Sequence, residues 1–129
     1  MKIKIFYHDT DCGGVVYYAN YLKFFEQART AHFEKSGLIL KNLVEKDVMF
    51  VVARQEVDYK FPARYADTLE VSSRIVDSSS VKLNFEHEVR NQDDKLICRG
   101  RSLLVCVGRD LKPKAIPDDL RRDLKLEEK

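Results

Sequence analysis

Apolar and polar residues alternate along several stretches of the chain and recur at helical spacing along one long stretch, and that contrast sets the expected architecture. Near the start, Ile3, Ile5 and Tyr7 alternate with Lys2, Lys4 and Phe6, as in a short strand with one inward face and a second face only partly polar. From Val16 to Ser36 the positions Tyr18, Tyr21, Leu22, Phe25, Ala28 and His32 or Phe33 recur at helical spacing, and Gly37 supplies the residue type that commonly ends a helix. This predicts one long helix of roughly five turns. Phe24 and Phe33 fall off its main stripe, so the helix is apolar on several sides and should be wrapped by the rest of the chain.

A short amphipathic connector, Leu38 to Lys46, precedes a β-rich run from Val48 to Phe61, in which Val57, Tyr59 and Phe61 alternate with Asp58 and Lys60 until Pro62 stops it. Thr68 to Asp77 sets Leu69, Val71 and Ile75 on one face, and Ser78-Ser79-Ser80 is a turn-rich break. The cleanest two-residue period follows, with Val81, Leu83, Phe85, His87 and Val89 against Lys82, Asn84, Glu86, Glu88 and Arg90. After a turn at Asn91 to Lys95, Leu96 to Val107 reads as a strand buried on both faces at its far end. Asp118 and Asp119 open a short helix carrying Leu120, Leu124 and Leu126, with acids in its first turn as the helix dipole favours. The expected class is α+β: five strands, the last four in a meander, forming a curved antiparallel sheet around one long central helix, with a short helix at the C-terminus.

Composition narrows the function. At 129 residues the chain is expected to form a single domain, 1–129, small enough to need a partner over its remaining apolar faces. Its 23 basic and 21 acidic residues leave a net charge of +2, without the basic excess of a nucleic-acid binder. No apolar run is long enough for a signal peptide or a membrane span, and three cysteines are an odd number, so free thiols and a cytoplasmic setting are expected. Cys98 and Cys106 sit in apolar strand sequence as packing residues, and no cysteine has zinc-site spacing. Neither a metal nor a cofactor is expected.

The chemistry concentrates between Tyr7 and Tyr21, where Asp9 and Asp11 precede Gly13-Gly14 and the long helix. An acid there would sit beside a helix end whose first N–H groups lack intrahelical partners and carry partial positive charge. From the residues alone, Asp11 is either a catalytic acid or a turn acid capping the helix, and Asp9 is a structural ligand for backbone N–H groups of the loop. Gly14 permits close approach of backbone to a ligand, or a left-handed conformation. Cys12 is a rival nucleophile without a paired His, His8 reads as a solvated or packing residue, and Tyr7 either packs at the strand end or hydrogen-bonds near a reacting group.

The string Tyr7-x-Asp9-Thr10-Asp11-x-x-Gly14-Val15-Val16-Tyr17-x-x-x-Tyr21, with Glu26-x-Ala28-Arg29 in the helix, resembles the hotdog-fold acyl-CoA thioesterases of the YbgC and 4-hydroxybenzoyl-CoA thioesterase type. Val57-x-Tyr59-x-x-Pro62-Ala63-Arg64-x-x-Asp67-x-Leu69 and the Ala115-Ile116-Pro117 ending resemble that family too. The resemblance implies a hotdog fold and hydrolysis of an acyl-CoA substrate, with Asp11 as general base or nucleophile. The amides of Val16, Tyr17 and above all Tyr18 would then polarise the thioester carbonyl, with Gly14 shaping the loop. YbgC-type sequences commonly carry His where this chain has Tyr18, so an imidazole role is lost and a main-chain role survives. The resemblance further implies a homodimer or homotetramer with sites at the subunit interface. Phe50, Val51 and Val52 would line an acyl tunnel or else belong to the core, and Arg54, Lys60, Arg64 and Arg74 are candidates for the CoA phosphates, with Arg99 and Arg101 as a second possibility. Arg64 and Asp67 form an ion pair in the structural reading of that segment. The alternative function is a non-catalytic acyl-CoA or acyl-carrier binding module.

Overall fold

A computed structural model describes residues 1–126. Its strands and α-helices are β1 (Lys2–Lys4), α1 (Asn20–Lys35), α2 (Leu40–Glu45), β2 (Met49–Tyr59), β3 (Thr68–Ser78), β4 (Lys82–Arg90), β5 (Leu96–Val107) and α3 (Asp118–Asp123), with a 3-10 turn at Tyr7–Asp9 where the expected first strand has already ended. All strand pairs are antiparallel and form one five-stranded sheet in the order β1-β3-β4-β5-β2. The α+β class, the long helix and the short C-terminal helix are as the sequence pattern predicts.

The expected four-strand meander is not formed. Only β3, β4 and β5 follow one another in space, whereas β2 lies at the far edge beside β5, from Met49 opposite Val107 to Tyr59 opposite Cys98. Alternation fixes which face of a strand is inward and says nothing about its neighbour, so the partner of β2 was not encoded in the period. Residues 60–67 instead return the chain from that edge to β3. They are tied down by Lys60 N–H and Phe61 N–H donating to the Ile97 carbonyl, and by the fully buried Ala63, whose carbonyl accepts the Val16 N–H at 2.8 Å.

α1 lies against the inner face of the sheet and buries Tyr21, Phe24, Phe25, Ala28, Arg29 and Phe33. One end of the core joins Phe25 to Ile5, Leu69, Val71, Val89 and Ile97; the other joins Phe33 to Leu83, Phe85, Leu104 and Leu120 of α3. Full burial of a side chain such as Phe25 contributes about 1.5–3 kcal/mol. Its ring presses so closely on β5 that a Cβ at Gly100 would lie 2.5 Å from Phe25 Cε2, a separation no side chain tolerates. The absent side chain at position 100 therefore lets the helix seat on the sheet.

Beside that contact the core is polar. His87 is 1 % exposed and stacks on Phe25 with ring centroids 4.5 Å apart and planes 6° from parallel. Gln55 Nε2 donates to the Arg101 carbonyl at 2.9 Å, which fixes the amide so that its oxygen faces the Ser102 hydroxyl, 2.6 Å away. Ser102 Oγ therefore donates to Gln55 and accepts from Arg29 Nη1 at 3.0 Å and from His87 Nε2 at 2.9 Å. His87 Nδ1 is left to accept the Ser73 hydroxyl at 2.5 Å, so the ring is the neutral tautomer protonated at Nε2. Burial pushes its pKa down from 6.5 to about 3, with the Arg29 charge acting in the same direction.

Candidate active site

The acidic stretch folds as a tight hairpin in front of α1. Asp11 N–H donates to the Val15 carbonyl and Tyr17 N–H to the Asp9 carbonyl, each at 2.9 Å. Gly14 closes the turn with φ +78°, a left-handed conformation that favours glycine, and its N–H donates to the Asp11 carbonyl. The two acids divide their work. Asp9 Oδ2 accepts the Phe6 N–H at 2.9 Å, while the Asp9 carbonyl also accepts Asn20 Nδ2 at 3.0 Å, so this residue ties β1, the loop and the helix start together. Asp11 is exposed, and its Oδ1 accepts the Gly13 N–H at 2.8 Å. Its second carboxylate oxygen has no partner among the described residues and is available to a ligand.

α1 begins at Asn20 rather than at Val16, and this corrects the expected set of free amides. Val16 N–H is taken by the Ala63 carbonyl and Tyr17 N–H by the Asp9 carbonyl, because the segment before the helix pairs with the loop instead of winding. Tyr18 N–H donates to no group among the described residues. The Tyr17 carbonyl accepts the Asn20 N–H at 2.9 Å and so points along the helix; in a trans peptide the Tyr18 N–H points the opposite way, out of the N-terminal end of α1. The helix dipole adds to it there. Tyr17, whose backbone is spent, keeps its ring at the surface, and its phenol is held above its ordinary pKa chiefly by the Tyr18 hydroxyl, with a smaller contribution from the Asp11 carboxylate.

Two further residues hold this arrangement. The Tyr59 hydroxyl, at the end of β2, donates to the Tyr18 carbonyl at 2.8 Å, and Asn20 anchors the Asp9 carbonyl as noted. Alternation placed Tyr59 on a strand, but only the β2 edge lying beside the helix start gives its hydroxyl a role. Asn20 carried the signal of a polar residue at a helix start.

The other candidates are dispersed. Tyr7 is 72 % exposed and stacks on Tyr65 at 3.9 Å between centroids. His8 is exposed, with Nε2 3.6 Å from Asp9 Oδ1, and Cys12 is an exposed free thiol. Cys98 is buried, which pushes its thiol up to about 12, and Cys106 is buried as well. Phe50, Val51 and Val52 come together in a cavity of about 280 Å³ between β2, α1 and α2, with Val51 and Val52 half open at the sheet edge. Val52 is seven residues from Tyr59 along β2, about 23 Å at the usual strand rise. Within one chain the cavity and the acidic loop therefore lie toward opposite ends of the edge strand.

Arg54 pairs with Glu56 at 2.5 Å, and Lys60 and Arg64 are exposed. The expected Arg64–Asp67 ion pair is not made: Asp67 Oδ2 accepts the Arg64 backbone N–H at 2.9 Å, because the turn brings the main chain rather than the guanidinium to the carboxylate. Arg74 and Arg101 share Glu86, and Arg99 lies 3.6 Å from Glu88, all on the sheet face turned away from α1. The fold does not bring those three to the acidic loop.

What remains at the loop is a carboxylate with an unengaged oxygen and an N–H aimed out of a helix end. That combination can supply a base or nucleophile to a carbonyl carbon and a hydrogen bond to the oxyanion that develops.

Comparison with known proteins places the chain among thioesterases. The sequence profile of the thioesterase-like superfamily matches residues 7–124. The acyl-CoA thioester hydrolase YbgC of Escherichia coli is 35% identical over 124 residues, covering 95% of this chain and 92% of its own. The acyl-CoA thioesterase YbgC of Haemophilus influenzae is 31% identical, covering 92% and 88%. Among solved structures, a hypothetical protein of Thermus thermophilus superposes with a TM-score of 0.91 at 30% identity, covering 97% of this chain and 95% of that one. A 1,4-dihydroxy-2-naphthoyl-CoA thioesterase of Synechocystis shares the fold, with a TM-score of 0.89 at 22% identity and coverage of 97% and 93%.

Proposed function

The chain belongs to the thioesterase-like superfamily, and from that premise we propose that it is an acyl-CoA thioesterase of hotdog fold that uses Asp11 and the Tyr18 amide. The observation that carries the reading is that the loop before α1 presents both an exposed carboxylate, with one oxygen unengaged among the described residues, and a Tyr18 N–H likewise unengaged. The Tyr18 N–H hydrogen-bonds the thioester oxygen and strengthens its hold as charge develops there. Asp11 takes a proton from water as water adds to the carbonyl carbon, or adds to that carbon itself to give an anhydride that water then cleaves. In either route the carbon–sulfur bond breaks, the sulfur leaves as thiolate and takes up a proton, and the products are free acid and CoA.

The functional unit is a homodimer joined through β2, or a tetramer of two such dimers. β2 has no strand on its outer edge among the described residues, and that edge exposes Val51, Val52 and Tyr59 by 39, 49 and 49 %. Such an edge is a template for pairing. Antiparallel pairing about a twofold axis beside Arg54 would set the partner's Tyr59 opposite Met49, about 5 Å away. The cavity at the start of one β2 would then adjoin the acidic loop of the other subunit, which accounts for the separation of the two within one chain. A reducing compartment, the cytoplasm, is the setting we propose, supported by the exposed free thiol of Cys12. No helix among the described residues is long and apolar enough to cross a membrane.

The test is thiol release from a series of acyl-CoAs, short aliphatic through long-chain and aromatic. Turnover of at least one class above the spontaneous rate is expected. Binding of acyl-CoA without hydrolysis of any of them would refute the enzyme and leave a binding module.

A further inference from the structure

The wall of the cavity beneath the β2 edge holds a charge that the reaction at the acidic loop does not use. Arg29, 8 % exposed, lines the cavity from the middle of α1. Among the described residues its guanidinium makes one hydrogen bond, from Nη1 to Ser102 Oγ. Ser102 is neutral and already gives its proton to Gln55, so it satisfies one N–H without balancing the charge. No carboxylate among the described residues lies within ion-pairing distance; Glu26, one helical turn away, acts only through space. No fully buried side-chain nitrogen among the described residues lacks a partner, so the guanidinium N–H groups without one are reached from the cavity.

The other walls are mostly apolar, with Phe33, Leu40, Phe50 and Leu104 among them, and the polar residues beside Arg29 are the half-buried Thr30 and the exposed Glu26. A buried cation left unpaired in such surroundings is expensive unless something anionic meets it. At about 280 Å³ the cavity suits an acyl group rather than a whole coenzyme. We propose that this cavity receives an acyl group whose far end carries a carboxylate, and that Arg29 binds that carboxylate. The inference rests on the thioesterase reading above. The apolar walls take the carbon chain and the guanidinium takes the terminal oxygens in charge-assisted hydrogen bonds. An unsubstituted alkyl end would cover the same guanidinium and give it nothing, which turns the group into a selector against plain chains of equal length.

The experiment compares kcat/KM for three acyl-CoAs of matched length, ending in a carboxylate, a hydroxyl or a methyl group. For the wild-type protein the carboxylate-ended substrate is expected to exceed the methyl-ended one by about ten- to a hundredfold, the range of a hydrogen bond to a charged group. In Arg29→Met that ratio should fall close to one or below, and Arg29→Lys should keep part of it. A wild-type ratio at or below one, or a hydroxyl-ended substrate preferred to the carboxylate-ended one, overturns the proposal. So does an Arg29→Met protein that loses rate on all three substrates equally, as a purely structural arginine would. If no acyl-CoA is hydrolysed, the thioesterase reading fails separately, and calorimetry with the wild-type protein decides the cavity on its own: adipate bound more tightly than hexanoate supports it, and equal or reversed affinity rejects it.

Discussion

Replacing His87 by Gln isolates one buried group whose protonation the fold opposes. The ring lies between the Ser73 and Ser102 hydroxyls, stacked on Phe25, with the Arg29 guanidinium on the same Ser102 oxygen and Glu86 beside it on β4. Its pKa stands near 3 in the folded protein against 6.5 for a free side chain. Between those values the unfolded chain binds a proton that the folded chain does not, so stability falls as pH drops below 6.5. Taken from pH 7 to pH 5, this one group removes about 2 kcal/mol, at 1.36 kcal/mol per pH unit. Urea unfolding of the wild type and His87→Gln at both pH values measures it as a double difference, in which His32, also lowered by burial, and Glu86, lowered chiefly by its bond to Arg74, contribute equally to both proteins. The variant is expected to start less stable and to lose about 2 kcal/mol less over that interval. Equal losses in the two proteins would mean that His87 takes up its proton in the folded state, and the assignment of a neutral, locked ring would be wrong.

Gly100→Ala forces a Cβ onto the Phe25 ring and should cost about 1–3 kcal/mol in denaturant unfolding, the range for an overpacked core. Tyr59→Phe removes the hydroxyl that holds the Tyr18 carbonyl; kcat should fall roughly two- to tenfold, the equivalent of about 0.5–1.5 kcal/mol for one hydrogen bond, with KM little changed and unfolding free energy lowered by no more than that amount. Val52→Asp places charge on the outer edge of β2 and should shift the protein toward monomer in light scattering, with thiol release falling in parallel.

The faces of the strands were legible because side-chain period is a local property: Val81 to Val89 alternate in the sequence, and Leu83, Phe85, His87 and Val89 are the buried ones. The loop's local geometry was legible for the same reason, since Asp9, Asp11 and Gly14 act on their immediate neighbours. Two things were hidden. The position of β2 beside β5 depends on pairing between residues about 50 apart, as with Val51 and Val105, and no local period records it. The start of α1 shifted from Val16 to Asn20 because Val16 and Tyr17 found backbone partners in Ala63 and Asp9, a tertiary preference that overrode helical spacing. His87, Ser102 and Arg29 read singly as an inward histidine, a polar residue in a strand and a helix position; their meaning appears only when α1, β4 and β5 meet.

In the proposed reaction the Asp11 carboxylate and the Tyr18 amide are the reacting pair. Asp11→Asn removes the charge and keeps an oxygen to accept the Gly13 N–H, so the loop retains its shape. With the acyl-CoA that the wild type hydrolyses fastest, thiol release should show kcat reduced by at least about a hundredfold, the lower range for loss of a general base. The dissociation constant for CoA and the oligomeric mass should stay unchanged. Turnover within a few fold of the wild type would mean that Asp11 is neither the base nor the nucleophile.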